Sequence, residues 1–348
     1  MNFRKIITVL LIAVSLTSIV SAQLQLNGAG ATFPAVIYSK WFDEYKNATG
    51  VQFNYQAIGS GGGIKQVTEG TVDFGASDGP MNDKQLEEAK SKQGTDILHI
   101  PTVLGAVVVS YNLPGVSVKL NLDGATLADI YLGKISKWND GAIAKLNPKV
   151  NLPNKAIIVA HRSDGSGTTF IFSDYLSKVS KDWETKVGKG TSVNWPVGLG
   201  GKGNDGVAGL VKQTDGSIGY VELAYAVQNK IAYANMKNKD GKFVEATFSS
   251  VSAAAEGASK NMPQDLRVSI TDAAGKDSYP ISGFTWLLIY QNMKDEAKGK
   301  ELVKFLKWAM GKGQSFATNL YYAPLPKAVV KMCDKKIAEI TVNGKKLK

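Results

Sequence analysis

The residues whose types and spacing best suit one shared chemistry lie in a single decapeptide, "HRSDGSGTTF", residues 161–170. Arg162 offers a fixed positive charge in a planar fork of N–H donors. Asp164 stands two positions on, at the mouth of the same turn. Ser166 and Thr168 flank Gly167, so two hydroxyl donors stand beside a backbone that a ligand can approach closely. Arg162 and Asp164 on their own would read as an ordinary surface ion pair, which contributes little. Their neighbours decide whether they do more.

Two further stretches share the design, "GATF" at Gly30–Phe33 and "GSGGG" at Gly59–Gly63. In all three, glycines or small hydroxyl residues stand immediately before an expected helix. The first N–H groups of a helix have no partner within it and point outward at the positive end of its dipole. One such turn is usually a capped helix. Three in one chain favour an anion site built from helix N-termini.

Other chemistries fit poorly. "GLGGKG", residues 198–203, matches G-x-G-x-x-G, with Glu222 roughly 20 residues on, as a dinucleotide fingerprint requires. It follows "NWPV" rather than a clear strand, however. A phosphate loop of the nucleotide-binding type fails, because Gly203 follows Lys202 where Ser or Thr is needed. Ser166 does not sit in a nucleophile elbow, since Asp164 and Thr168 occupy the positions that need glycine. His99 lies in an apolar run and reads as packed. His161 reads as facing away from Arg162 on a strand covering Ala156 to Arg162. Two scattered histidines and a lone cysteine assemble no metal cluster.

The elements that must position these turns alternate between helix and strand. Phe33, Ile37, Trp41 and Tyr45 recur every four residues as one face of a helix, with Thr32 placed to cap it, Pro34 in its first turn and Gly50 after its end. "VQFNYQAI" reads as a strand, "GSGGG" leads into a short helix through Val67, and "TVDFGASD" reads as a second strand. This is the pattern of an α/β domain with a largely parallel sheet. Two long apolar runs, "ILHIPTVLGAVVVSYN" broken by Pro101 and "YPISGFTWLLIYQN" with Pro280, read as segments carrying the chain out of one domain and back. The expected organisation is a discontinuous domain of residues 23–100 plus 280–348, with a second domain at 101–279. Near the C-terminus Leu302, Phe305, Leu306 and Ala309 are spaced as a buried helix face.

Residues 1–22, "MNFRKIITVLLIAVSLTSIVSA", have Arg4 and Lys5, an apolar stretch, and small residues up to Ala22. They read as a secretory signal peptide cleaved near Ala22, too interrupted for the about 20 apolar residues of a membrane span. The only cysteine is Cys333, so there is neither an intramolecular disulfide nor a lipid-carrying cysteine at the cleavage site. It reads as a packed thiol. The formal charge is +11, but the lysines are dispersed with no basic run interleaved by aromatics, which argues against nucleic acid. A small anionic ligand suits the balance better.

With these turns in view, the chain resembles the periplasmic phosphate-binding proteins, the substrate-binding subunits of high-affinity phosphate ABC transporters. The resemblance spans the region after the signal peptide. It is carried by "GAGATFPAVIYSKW", "NYQAIGSGGGIKQ", "VDFGASD", "DIYLGKISKWND", "AKLNP", "RSDGSGTTF", "WPVGLGGKGNDG" and "GSIGYVELAYA". It implies a two-domain α/β periplasmic binding protein (type II-like) with paired crossover hinge strands and one dehydrated phosphate in the cleft. The implied ligand shell is Thr32, Phe33, Ser60, Asp78, Arg162, Ser166, Gly167 and Thr168, with Asp164 steadying the arginine beside the ligand. Phe33 would act through its N–H with its ring in the core. Asp78 would accept a proton that phosphate still carries and sulfate lacks; the plain alternative is that it caps the helix before "MNDKQLEEAK". The resemblance further implies a non-enzymatic monomer without cofactor, delivering phosphate to ABC transporter permease subunits in the inner membrane. The rivals are a receptor for another tetrahedral oxyanion such as sulfate and, from a different class, an exported phosphatase.

Overall fold

A computed structural model describes residues 24–259 and 262–347. The signal peptide expected over residues 1–22 lies outside the described residues. Among the described residues no helix is long and apolar enough to cross a membrane.

Nine strands form one curled sheet, numbered here along the chain: β1 Gln25–Gly30, β2 Gln52–Ala57, β3 Phe74–Ser77, β4 Ile97–Asn112, β5 Ile158–Arg162, β6 Leu199–Gly201, β7 Ser217–Glu222, β8 Ala232–Tyr233 and β9 Ser282–Tyr290. Their order is β2-β1-β3-β9-β4-β7-β5-β6, with β8 paired to β4. The helices that bear on the site are α1 Ala35–Thr49, α2 Ser60–Glu69, α3 Asp83–Gln93, α4 Gly167–Val179, α5 Gly203–Gln213 and α6 Glu296–Met310. β1 runs parallel to both β2 and β3, as the strand–helix–strand alternation predicts.

The two long apolar runs become β4 and β9, paired antiparallel from Ser282 opposite Ala106 to Tyr290 opposite Ile97. From Val107 onward β4 changes partner and pairs with β7. One continuous strand therefore belongs to both halves, which makes this a two-domain α/β protein joined at its crossover strands. Pro101 does not break the run, contrary to the sequence reading. Proline has no N–H for the ladder, and the register slips beside it: Trp286 faces Pro101, Thr285 faces Val103, and Thr102 is skipped. The bulged Thr102 turns its hydroxyl to Thr285 O at 3.2 Å and lies 2.7 Å from the Tyr38 hydroxyl.

The helix face read from Phe33, Ile37, Trp41 and Tyr45 is buried against the first half of the sheet. There Phe42 stacks on Phe53 with ring centroids 4.8 Å apart, and Phe53 packs on Phe305 of α6 at 4.5 Å. Leu302, Phe305, Leu306 and Ala309 are all fully buried. The second half has its own aromatic centre, where Phe172 of α4 stacks on Tyr220 of β7 at 4.2 Å. Cys333 is buried with its thiol toward Pro101 O, and burial pushes its pKa up to about 12.

Candidate functional site

β1, β3, β5, β6 and β7 all point their C-terminal ends at one crevice between the two halves, where ligands of open α/β sheets bind. Thr32 and Phe33 follow β1, Asp78 follows β3, and Arg162 is the last residue of β5. Gly203 and Asn204 open α5 just after β6.

The Arg162 side chain is buried and paired with Asp164 through two parallel bonds, Nε to Oδ1 at 2.7 Å and Nη2 to Oδ2 at 2.6 Å. Its Nη1 donates to Thr168 Oγ1 at 3.3 Å. Burial pushes the Asp164 carboxyl up, but the Arg162 bonds and charge and the Gly203 N–H outweigh it and hold the group below its ordinary value. This pair is a built part of the crevice, not a surface contact.

Across from it stands the first half. Ser60 Oγ accepts from Gly167 N at 3.0 Å and from Asp78 N at 3.2 Å, so one hydroxyl joins the two halves. Gly61 N donates to Gly165 O at 2.8 Å. A Cβ on Gly61 would stand 3.0 Å from Gly165 Cα, and one on Gly167 would stand 2.5 Å from both Asp78 Oδ2 and Ser60 Oγ. Gly61 is thus needed where it meets the backbone of Gly165, and Gly167 where the Asp78 and Ser60 side chains close on it. Gly61, Gly62 and Gly63 form the first turn of α2 itself rather than a loop before it.

Asp78 is fully buried. Its Oδ1 accepts from the Thr285 hydroxyl at 2.7 Å, while Oδ2 has no partner among the described residues. Burial pushes its pKa up to about 7, against the lowering effects of Thr285, Arg162 and Ser60. Asp78 does not cap α3. That helix carries its own capping box, Asn82 with Gln85.

Thr32 departs from its sequence assignment as a cap. α1 begins at Ala35 after Pro34 and has no side-chain cap. Thr32 Oγ1 instead accepts from Asn204 N at 3.2 Å and Asn204 Nδ2 at 2.8 Å. Its carbonyl accepts from the Tyr225 hydroxyl and that of Phe33 from the Tyr322 hydroxyl, both at 2.6 Å. The Phe33 ring is fully buried against Gly105 and Tyr322, so only its backbone lies beside Thr32. Ser166 caps α4, its Oγ accepting from Thr169 N at 3.0 Å. The geometry therefore brings Thr32, Ser60, Asp78, Arg162, Asp164, Gly167 and Thr168 into one linked set, with Phe33 and Ser166 adjoining it along the chain.

The histidines stand apart. His161 stacks on Trp195 at 4.8 Å, and His99 Nε2 accepts from Met81 N at 3.0 Å. Burial drives the His99 pKa down to about 3. Among the described residues no group of three or more His, Cys, Asp or Glu could hold a metal ion. "GLGGKG" does contain a strand, β6, which the sequence reading missed. Yet the helix N-terminus it leads to is occupied by the chain itself, with Gly203 N donating to Asp164 Oδ1 at 3.0 Å.

Sequence reasoning also passed over Asn204, Thr285 and Tyr225. Asn204 had a readable signal, since "GGKGN" repeats the glycine-before-helix design a fourth time. Thr285 and Tyr225 carried none, because each meets a residue far away along the chain.

Residues 18–312 match the family described as the PBP superfamily domain. The chain is 48% identical over 313 residues to the phosphate-binding protein PstS of Xylella fastidiosa (strain 9a5c), covering 90% of this chain and 84% of that protein. It is 47% identical over 306 residues to the phosphate-binding protein PstS of Pasteurella multocida (strain Pm70), covering 88% and 87%. Among solved structures it resembles a high-affinity periplasmic phosphate-binding protein, PfluDING, bound with phosphate. The TM-score is 0.71 at 21% identity, over 93% of this chain and 100% of that one. A phosphate-binding protein from Stenotrophomonas maltophilia gives a TM-score of 0.66 at 21% identity, over 90% and 94%.

Proposed function

The chain belongs to the PBP superfamily and, within it, to the family of phosphate-binding proteins named PstS; on that premise we propose that it captures inorganic phosphate in the crevice between its two domains and hands it to an ABC importer. The observation that carries this reading is one buried carboxylate oxygen, Asp78 Oδ2, beside a shell of donors drawn from both halves. Arg162 would supply the fixed positive charge. The opening N–H groups of α2 and α4 other than those of Gly61, Gly167 and Thr169, which the chain itself engages, would supply the rest with the Ser60, Thr32, Ser166 and Thr168 hydroxyls. Phe33 would contribute its N–H. Asp78 would accept the hydrogen that phosphate still carries near neutral pH. Sulfate has none to give, so its oxygens would face the carboxylate as like charges, at a cost of several kcal/mol.

The division into residues 23–100 plus 280–348 against 101–279 draws support from β4, which pairs first with β9 and then with β7. Export by cleavage near Ala22, without lipid attachment, rests on the sequence of residues 1–22. The protein acts as a monomer in the periplasm, docks on permease subunits, and turns nothing over. For the last point the support is that the Ser166 oxygen is engaged as a helix cap while both histidines serve elsewhere.

Isothermal titration of the phosphate-free protein with phosphate and with sulfate, beside an assay on a chromogenic phosphate ester, tests the reading. We expect one-to-one phosphate binding, no sulfate binding at matched concentration, and no ester turnover. Ester hydrolysis would replace the receptor with an enzyme. Equal affinity for the two anions would leave only a general oxyanion receptor.

A further inference from the structure

Asn204 is fully buried at the start of α5, within the second domain as proposed above. Its side-chain Oδ1 accepts from Glu222 N at 2.9 Å, and that bond fixes which end of the amide is which. The Nδ2 end then faces two hydroxyls at once, donating to Thr32 Oγ1 at 2.8 Å and to Thr168 Oγ1 at 3.1 Å. Each of those oxygens accepts a second N–H bond: Thr32 Oγ1 from Asn204 N at 3.2 Å, and Thr168 Oγ1 from Arg162 Nη1 at 3.3 Å. A hydroxyl has two acceptor lone pairs and one hydrogen. With both lone pairs engaged, only the hydrogen is left to offer. The two threonines follow strands in opposite halves of the molecule and border the same crevice.

We propose that Asn204 is a positioning residue for the bound anion, its amide locking the hydroxyls of Thr32 and Thr168 from opposite domains into the donor role. A freely rotating hydroxyl can turn a lone pair toward an anion and repel it; these two cannot. The inference deepens the phosphate reading and rests on it. It also separates two kinds of polar group in the crevice, hydroxyls held as donors and one carboxylate oxygen, Asp78 Oδ2, left as acceptor. Such a division favours an oxyanion that carries a single hydrogen.

The test is a double-mutant cycle read by phosphate titration, with wild type, Asn204→Ala, Thr32→Val, Thr168→Val and the two double variants, each checked for folding by circular dichroism. We expect Asn204→Ala alone to weaken phosphate binding about tenfold or more. The same substitution should cost less in each valine background, because only one of the two hydroxyls is then left to orient. An equal loss in all backgrounds would make Asn204 a packing residue and overturn the proposal. Coupling to Thr32 alone would make it a clamp between the domains, which overturns it too. Should Asn204→Ala not fold, Asn204→Asp keeps the shape and the bond from Glu222 N, and carries the same cycle. A wild-type protein that binds no phosphate would sink the functional reading itself. Wild-type binding with an unaffected Asn204 variant would sink only this inference.

Discussion

Arg162→Ala removes the fixed positive charge proposed to meet the anion, along with the bonds to Asp164 and Thr168. Charge-assisted bonds of this kind are worth about 1.5–3 kcal/mol, so titration should find phosphate affinity lowered about ten- to hundredfold. Asp164 keeps its bond from Gly203 N, so the variant should stay folded. Unchanged affinity in the folded variant would remove Arg162 from the site. At Asp78 the direction of the pKa shift gives two expectations. Its folded-state pKa of about 7 lies above the ordinary 3.8, so between those values the folded protein keeps a proton that the unfolded chain releases. The stability linked to that proton is present below pH 3.8 and is lost as pH rises through about 7. Thermal melts of the phosphate-free protein should therefore show a smaller fall between pH 4.5 and 7.5 in Asp78→Asn than in wild type, and parallel curves would contradict the assignment. The amide can donate where the carboxylate can only accept, so Asp78→Asn should also gain sulfate binding. Arg162 and Asp164 were legible in the sequence because they meet each other two residues apart, and Arg162 meets Thr168 within six. Asp78 was located only through the family resemblance, since its partner Thr285 lies 207 residues away.

At the scale of elements, the glycines are as functional as the charges. Gly167 opens α4 where Asp78 and Ser60 of the other half come closest, and an added Cβ would meet both at 2.5 Å. Gly167→Ala should therefore leave each half folded but hold them apart, with normal circular dichroism and strongly reduced phosphate affinity. Full affinity in that variant would mean that the close approach of Asp78 and Ser60 to Gly167 does not matter for binding. Local pattern sufficed to find α1, β2, β3, the burial of α6 and the two long crossover strands, because the helices bury one face every three to four residues and the crossover strands are apolar and buried almost throughout. It misjudged details that depend on distant partners. Thr32 has the side chain of a helix cap, but Asn204, 172 residues on, takes its hydroxyl, and Pro34 starts the helix without one. Pro101 looked like a break because a proline costs a ladder bond. The slip at Thr102 and the hydroxyl bond to Thr285 accommodate it inside one strand.

The two halves of the molecule are in contact, with Gly61 N donating to Gly165 O and Gly167 N to Ser60 Oγ. Contacts to one ligand from both halves favour the closed arrangement, because only that arrangement makes them all. The natural place for the motion is β4, the one strand that pairs in both halves, together with the chain entering β9, where Ile281 O accepts from Val107 N. Small-angle X-ray scattering on the phosphate-free protein, titrated with phosphate and separately with sulfate, tests this most directly. The account predicts a radius of gyration that shrinks to a plateau at one equivalent of phosphate and does not respond to sulfate. An unchanged radius at saturating phosphate, or the same contraction with sulfate, would contradict it.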